Sequence, residues 1–288
     1  MKSITLKANS KINLSLDVYE SQGGYHALKS VVTTVDLFDK IKITKRKDKK
    51  IILSSDIRFC PYYKDNAYIC AKKFQEQFDT LGVDIKIEKG IPLSGGMGGS
   101  SADIAGVIFG METLFDLKGQ GKDILTEMAS DAYYLYNGGF AVMSGRGNEI
   151  EKINSNLTLY FLLIENDFGI KSGDCFSSFD NLKIKKEKEY TPLLKEGLEK
   201  GDITLISENV YNDLYLPATK LNEKLTDSYL ALEKLNPIAF SMTGSGSSVF
   251  ALFLDKSSAE KGKDLLSKKY KTHLIKSVPC GVEIVKVK

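Results

Sequence analysis

Eight residues constrain this chain more than any others. Ser94-Gly95-Gly96-Met97-Gly98-Gly99-Ser100-Ser101 packs four glycines and three serines together, and an amphipathic helix pattern starts directly behind it. Ile104, Val107, Ile108, Met111, Leu114 and Phe115 recur on one helical face. Glycines let a backbone approach a bound group closely and take up positive φ. The free N–H groups of the helix's first turn then point at that group, with the helix dipole behind them. The combination reads as an anion cradle, with Ser100 or Ser101 as N-cap and Asp103 as the first acidic residue. A merely flexible loop would not need so abrupt a helix start. No Gly-Lys-Ser/Thr follows the glycines, so this is not a P-loop. Ser101 stands where a dinucleotide fingerprint needs its last glycine, and a protein-kinase catalytic loop is absent.

Around the cradle the periodicities predict a mixed fold. Ile12, Leu14, Leu16 and Val18 alternate with Lys11, Asn13, Ser15 and Asp17, which predicts a strand with one buried face and puts Lys11 and Asn13 on the same side. Gly23-Gly24 marks a turn. Strands are expected at 31–38, 41–43, 51–53 and 83–87, and helices at 67–78 and 123–135, the last ended by Asn137-Gly138-Gly139. A change of character near 152–157 suggests two domains, 1–155 and 156–288. The second carries strands at 157–164, 249–254 and 282–287 and helices at 187–200, 203–210, 220–235 and 258–268, a layout that suits an antiparallel sheet covered by helices.

Composition narrows the function. A net charge of +3 with 27% charged residues gives no reason to expect nucleic acid as partner. The basic run at 45–50 has no interleaved aromatics and reads as a solvated hairpin tip. No run of about 18 apolar residues exists to span a membrane, and the N-terminal residues lack the apolar core of a signal peptide, so a cytoplasmic location is the expectation. Cys60, Cys70, Cys175 and Cys280 are scattered, and His26 and His273 lie far apart, which argues against disulfide or zinc frameworks.

The stretch Ile91-Pro92-Leu93 through Ser101-Ala102-Asp103 resembles the phosphate loop of the GHMP kinases. Ser10-Lys11-Ile12-Asn13 followed by Gly24-Tyr25-His26, the triplets Lys64-Asp65-Asn66 and Asn212-Asp213-Leu214, and Met242-Thr243-Gly244-Ser245-Gly246 resemble, in the family's order, the branch that phosphorylates a cytidyl diphosphate sugar alcohol in non-mevalonate isoprenoid biosynthesis. The resemblance implies an α+β, two-domain architecture: an N-terminal α/β domain with a left-handed-crossover-type phosphate-loop region and a ferredoxin-like C-terminal domain. It implies ATP and Mg²⁺ as cofactors, a small-molecule acceptor, and a monomer or weak homodimer without nucleic acid or membrane partners. Two departures stand out. Asn9 replaces a usual proline, and Ala129-Ser130-Asp131-Ala132-Tyr133-Tyr134-Leu135 keeps the aspartate of Gly-Ala-Asp-Val-Pro-Phe-Phe but not its valine and proline.

Carried over residue by residue, the resemblance makes Asp131 the base for the acceptor hydroxyl and Lys11 its cationic partner. It gives the nucleotide Pro92, Ser94, Gly95, Gly96, Met97, Gly98, Gly99, Ser100, Ser101 and Asn66. Substrate contacts fall to Asn13, to Tyr25 and His26 as readers of the base, to Phe176 across it, and to the amides of Gly244, Ser245 and Gly246 at the phosphates. Ser101 is a candidate magnesium ligand, an ion that keeps several waters. Two other readings stand beside this one: a GHMP-type kinase acting on another alcohol, homoserine- or mevalonate-like, and a catalytically weak nucleotide-binding homologue.

Overall fold

The computed structural model describes residues 2–22, 25–58, 60–145, 147–182 and 188–288, with the side chains of residues 20–22 and 25 outside that description. The turn expected at Gly23-Gly24 falls outside it as well. In chain order the first half runs β1 (Ser3–Asn13), β2 (Ser15–Gln22), β3 (Tyr25–Lys45), β4 (Ile51–Ser55), α1 (Asn66–Phe78), β5 (Val83–Glu88), α2 (Gly99–Phe115), α3 (Lys122–Met128), α4 (Ala132–Asn137), β6 (Phe140–Gly145) and β7 (Glu149–Lys152). The second half runs β8 (Tyr160–Glu165), α5 (Ser172–Leu182), α6 (Thr191–Lys200), α7 (Ile203–Asn209), β9 (Tyr211–Asn212), α8 (Tyr215–Leu221), α9 (Lys224–Glu233), β10 (Ala239–Met242), β11 (Val249–Phe253), α10 (Lys256–Leu266), β12 (Lys271–Lys276) and β13 (Val282–Val287).

Two sheets result. The larger follows the path β13-β1-β3-β2-β9 and branches through β5 to β4 and through β6 to β7; the smaller has the order β10-β11-β8-β12 and is antiparallel throughout. Numbered within the second half, that order is 4-1-3-2 read from β12, the β-α-β-β-α-β arrangement of a ferredoxin-like sheet. In the larger sheet β4 and β5 are parallel neighbours joined through α1. The strand at 282–287 leaves the smaller sheet and pairs with β1, Ile4 opposite Val287. The run at 46–50 is solvated but is not a hairpin tip, because β5 lies between β3 and β4.

Three elements differ from their sequence patterns for local reasons. The alternating strand of residues 11–18 is broken at Leu14, and both of its faces are buried, the polar one against other polar groups. The helix pattern over 123–135 divides because Ala129 turns extended, φ −162° and ψ 142°. That over 220–235 divides at Asn222, also extended, whose side-chain oxygen accepts the Lys224 N–H at 3.1 Å.

The two apolar sets of the first half meet where α2 lies on the larger sheet. Ile4, Leu6, Ala8, Ile12, Ile41 and Ile43 are fully buried there. A methyl group on Gly106 would come within 2.6 Å of Ile41 Cδ1, and one on Gly110 within 2.5 Å of Ile43 Cδ1. Two side-chain-free positions one helical turn apart therefore let α2 sit close on β1 and β3. That close seat holds the N-terminus of α2, and with it the glycine loop, against Lys11 at the far end of β1.

Candidate active site

Helix α2 begins at Gly99, and Gly98, not Ser100 or Ser101, occupies its N-cap position with φ 74°. The serines are displaced into the first turn, where N–H groups have no carbonyl partner within the helix. Left-handed backbone at Gly96 and Gly98 folds the loop back on itself. A methyl group on Gly98 would lie 3.1 Å from Leu135 Cδ1, 3.4 Å from Lys11 Cγ and 3.5 Å from Asp131 Oδ2, so glycine lets both polar side chains reach the loop. Asn66 Nδ2 donates to Ser100 Oγ at 2.9 Å and ties the start of α1 to the cradle. The preceding Asp65 caps α1 by accepting the Ala67 N–H.

A second glycine turn, Thr243 to Ser248, packs backbone to backbone on the first. Ser247 and Ser248 donate N–H to the carbonyls of Ser94 and Gly95, both at 3.3 Å, and a methyl group on Gly244 would come within 2.7 Å of the Gly96 carbonyl oxygen. Asn212 holds this turn from behind: its Nδ2 donates to the carbonyls of Met242 and Gly244 at 2.7 and 2.9 Å. Thr243 Oγ1 accepts the Asn13 N–H at 3.0 Å, which links the turn to β1.

Lys11 is buried, 5% exposed. Its ammonium donates to Asn13 Oδ1 and to the Gly96 carbonyl at 2.8 Å, and lies 3.8 Å from Asp131 Oδ2. Burial pulls its pKa below the ordinary lysine value, and the Asp131 charge opposes that only in part. The break at Ala129 produces this meeting: α3 stops, the chain turns, and Asp131 stands at the start of α4 facing the strand lysine. On the other side of the loop Lys89 donates to Asp39 and, at 2.6 Å, to Asp103. Asp39 also accepts the N–H groups of Gly90 and Ile91 at 2.7 and 2.9 Å. Burial, helped by the Asp39 charge and opposed by Lys89, pushes the Asp103 carboxyl up to about 8.

The two glycine turns open, with Lys11, Lys89, Asp103 and Asp131, onto one cleft of about 770 Å³. It is bounded by Lys11, Asn13 and Asp131, by Pro92 and the loop from Ser94 to Ser101, by Asn66, and by Phe176 with Gly244, Ser245 and Gly246. His26 reaches it through Phe176: the rings stack with centroids 5.2 Å apart and planes 18° apart. His26 Nδ1 meets the Tyr19 carbonyl at 2.7 Å and Nε2 meets Asp180 Oδ2 at 3.3 Å. Tyr25 is placed in β3 by its backbone, paired with Gln22, but its side chain lies outside the described residues. Ser101 lines the cleft in the first turn of α2; among the described residues no group of three His, Cys, Asp or Glu side chains could hold a metal ion. Lys89, Asp39, Asn212, Thr243, Lys171 and Asp180 are among the polar residues of this region that sequence reasoning left out of the site, together with Lys64, Asp103 and Ser172. Asn212, Thr243, Lys64 and Asp103 fell inside quoted motifs; the others carry no spacing signal.

Comparison with known proteins matches residues 65–143 to the GHMP kinases N terminal domain and residues 194–272 to the GHMP kinases C terminal model. A 4-diphosphocytidyl-2-C-methyl-D-erythritol kinase of Alkaliphilus oremlandii is 32% identical over 292 aligned residues, covering 99% of this chain and all of that protein. One from Clostridioides difficile is also 32% identical, covering 99% and 98%. Among solved structures, a 4-(cytidine 5'-diphospho)-2C-methyl-D-erythritol kinase superposes with a TM-score of 0.82 at 21% identity, covering 96% of this chain and 100% of that one. A homoserine kinase from Cytophaga hutchinsonii superposes at 0.78 with 18% identity, covering 99% and 98%. The fold is thus common to kinases with unlike acceptors, and it is the sequence relatives that single out one of them.

Proposed function

This chain belongs to the GHMP kinase family, and from that premise we propose that it transfers the γ-phosphoryl group of ATP to the 2-hydroxyl of 4-diphosphocytidyl-2-C-methyl-D-erythritol, a step toward isoprenoid precursors by the non-mevalonate route. One observation carries the chemistry: Asp131 and Lys11, 3.8 Å apart, stand at the wall of a cleft into which two glycine turns both open. Phosphoryl transfer asks a protein mainly for positioning and for charge near the transferring group. The first-turn amides of α2 and the glycine loop cradle the triphosphate, with Asn66 fixing Ser100 beside it. Asp131 orients the acceptor hydroxyl and takes its proton. Lys11, 3.8 Å from that carboxylate, offsets charge on the transferring phosphoryl group.

Asn13 holds Lys11 and is in turn held: its Nδ2 donates to Ser30 Oγ at 2.8 Å. Where the valine and proline are replaced after Asp131, Tyr134 Oη donates to the Gly139 carbonyl at 2.7 Å and Leu135 packs against Gly98. Magnesium suits the site as a companion of ATP, since the residues present offer the Ser101 hydroxyl rather than a carboxylate cage. When bound it neutralises phosphate charge; the orienting and proton transfer belong to Asp131. Phe176 lines the cleft and offers an aromatic ring against which a base can pack, and His26, stacked on it and held by Tyr19 and Asp180, backs that ring.

The acceptor is tested by measuring ADP release with the cytidyl substrate, homoserine and mevalonate side by side. Turnover with the cytidyl substrate at a kcat/KM at least about 10³-fold above the others is expected, because a site that pairs with a substrate's polar edge strongly rejects one that lacks it. Comparable rates with homoserine or mevalonate would remove the cytidyl assignment, and no turnover with any of them would leave a nucleotide-binding homologue.

A further inference from the structure

The segment from Asn166 to Ser172 runs along the second glycine turn and is stitched to it at alternate residues. Asn166 Nδ2 donates to the Ser247 carbonyl at 2.7 Å. The Phe168 carbonyl accepts from Ser247 Oγ. Ile170 packs beside Gly246, its Cδ1 3.4 Å from where a methyl group there would be, and Ser172 Oγ shares a hydrogen bond with Ser245 Oγ at 2.9 Å. Gly169 abuts Ser94 of the first loop, and Lys171 lines the cleft while remaining exposed. A segment pinned on both sides of a lysine, by Ile170 against Gly246 and by Ser172 on Ser245, fixes where that lysine's backbone can be.

Among the described residues four lysines line the cleft: Lys11, Lys64, Lys89 and Lys171. Lys11 and Lys89 are already engaged by Asp131 and by the Asp39–Asp103 pair. Lys64 stands beside Asn66, on the first loop's side. Lys171 is the cation beside Gly244, Ser245 and Gly246, and no carboxylate is paired with it among the described residues. A cleft that takes a triphosphate and a diphosphate together needs positive charge at both, and the backbone amides of a glycine turn supply hydrogen bonds without a full charge.

We infer that Lys171 holds the diphosphate of the acceptor and so selects cytidine diphosphates over cytidine. The inference rests on the cytidyl reading of the acceptor. It is tested by measuring the binding of CDP, cytidine and a non-hydrolysable ATP analogue to the full chain and to its Lys171→Met and Lys171→Arg variants. Lys171→Met should weaken CDP about tenfold, a loss of the size expected for a charge-assisted bond to phosphate at a partly exposed site. Cytidine and the ATP analogue should stay within about twofold, which also shows that the variant is folded, and Lys171→Arg should keep most of the CDP affinity. Unchanged CDP binding in Lys171→Met would overturn the assignment while leaving the acceptor reading intact. Equal weakening of CDP and the ATP analogue would also overturn it, by placing the ammonium on the nucleotide phosphates. A wild-type chain that binds neither CDP nor cytidine would instead remove the cytidyl reading, and this assignment with it.

Discussion

Two lysine–aspartate corners flank the same glycine loop, and they differ in how completely the protein engages the cation. At one, Lys89 meets two carboxylates, and Asp39 extends the corner by binding the N–H groups of Gly90 and Ile91. Burial works against the Lys89 charge, but Asp103 and Asp39 outweigh it and its pKa ends above the ordinary lysine value. At the other, Lys11 has a single carboxylate at 3.8 Å and otherwise neutral partners, and burial prevails. Both ammonium groups are nearly buried and both line the cleft. What separates a structural cation from one able to act on a bound phosphate is how closely the fold has already bonded it to carboxyl groups: Lys89 touches two, whereas Lys11 stands 3.8 Å from one.

The largest expected effect tests the structural corner. Lys89→Met leaves Asp39 and Asp103 facing each other without their cation, and breaking a buried pair from one side costs about 3–5 kcal/mol. Chemical denaturation should show a loss of that size, and the KM for ATP should rise, since the residues before and after the glycine loop are both anchored here. A variant as stable as the parent would mean that the two corners are not different in kind. Asp131→Asn tests the other corner. It should lower kcat about 10²-fold or more, as expected for loss of a general base, and leave the denaturation midpoint nearly unchanged, because the side chain is 27% exposed and bonded only loosely. A kcat within twofold of wild type would take the proton-accepting role away from Asp131.

The contrast also explains what could be read in the sequence. The loop, the α2 pattern and the Lys11–Asn13 alternation are short-range signals, and each element is present in the structure, although α2 is buried on nearly every side rather than on the one apolar face its pattern predicts. The corners are not short-range. Asp39 lies in the middle of the 21-residue β3, where the pattern suggested two strands, and its meeting with Lys89 and Asp103 depends on β5 pairing with β3 and α2 packing across both. Asp131 was found by resemblance, yet the reason it faces Lys11 is the extended backbone at Ala129, a residue that favours helix by itself and sits in an unbroken apolar period. The shift of the N-cap from a serine to Gly98 has a similar origin: Lys11 and Asp131 crowd the loop, and only a residue without a side chain fits the left-handed turn between them. The strand at 282–287 carried a strand signal, but nothing in it names its partner, and pairing with β1 is a choice made by the whole sheet.

The smallest expected effect is also the one that sharpens the comparison most, because it asks which carboxyl at the Lys89 corner carries a proton. Asp39 places one oxygen on two backbone N–H groups and the other on the ammonium. Asp103 has one oxygen on the ammonium and the other buried without a partner. Its carboxyl, raised from 3.8 to about 8, is therefore the protonated one near neutrality. The folded chain then holds a proton that the unfolded chain has released, so this group's contribution to stability falls as pH rises from about 3.8 to about 8 and levels off above. Asp103→Asn abolishes that titration. Relative to wild type, the variant should gain about 1 kcal/mol or more in unfolding free energy between pH 5 and pH 9, read from urea midpoints at the two values. A wild type that runs parallel to the variant between pH 5 and pH 9 would show Asp103 to be ionised in the fold already at pH 5, making the corner a full triad of charges and the gap between the two lysines wider still.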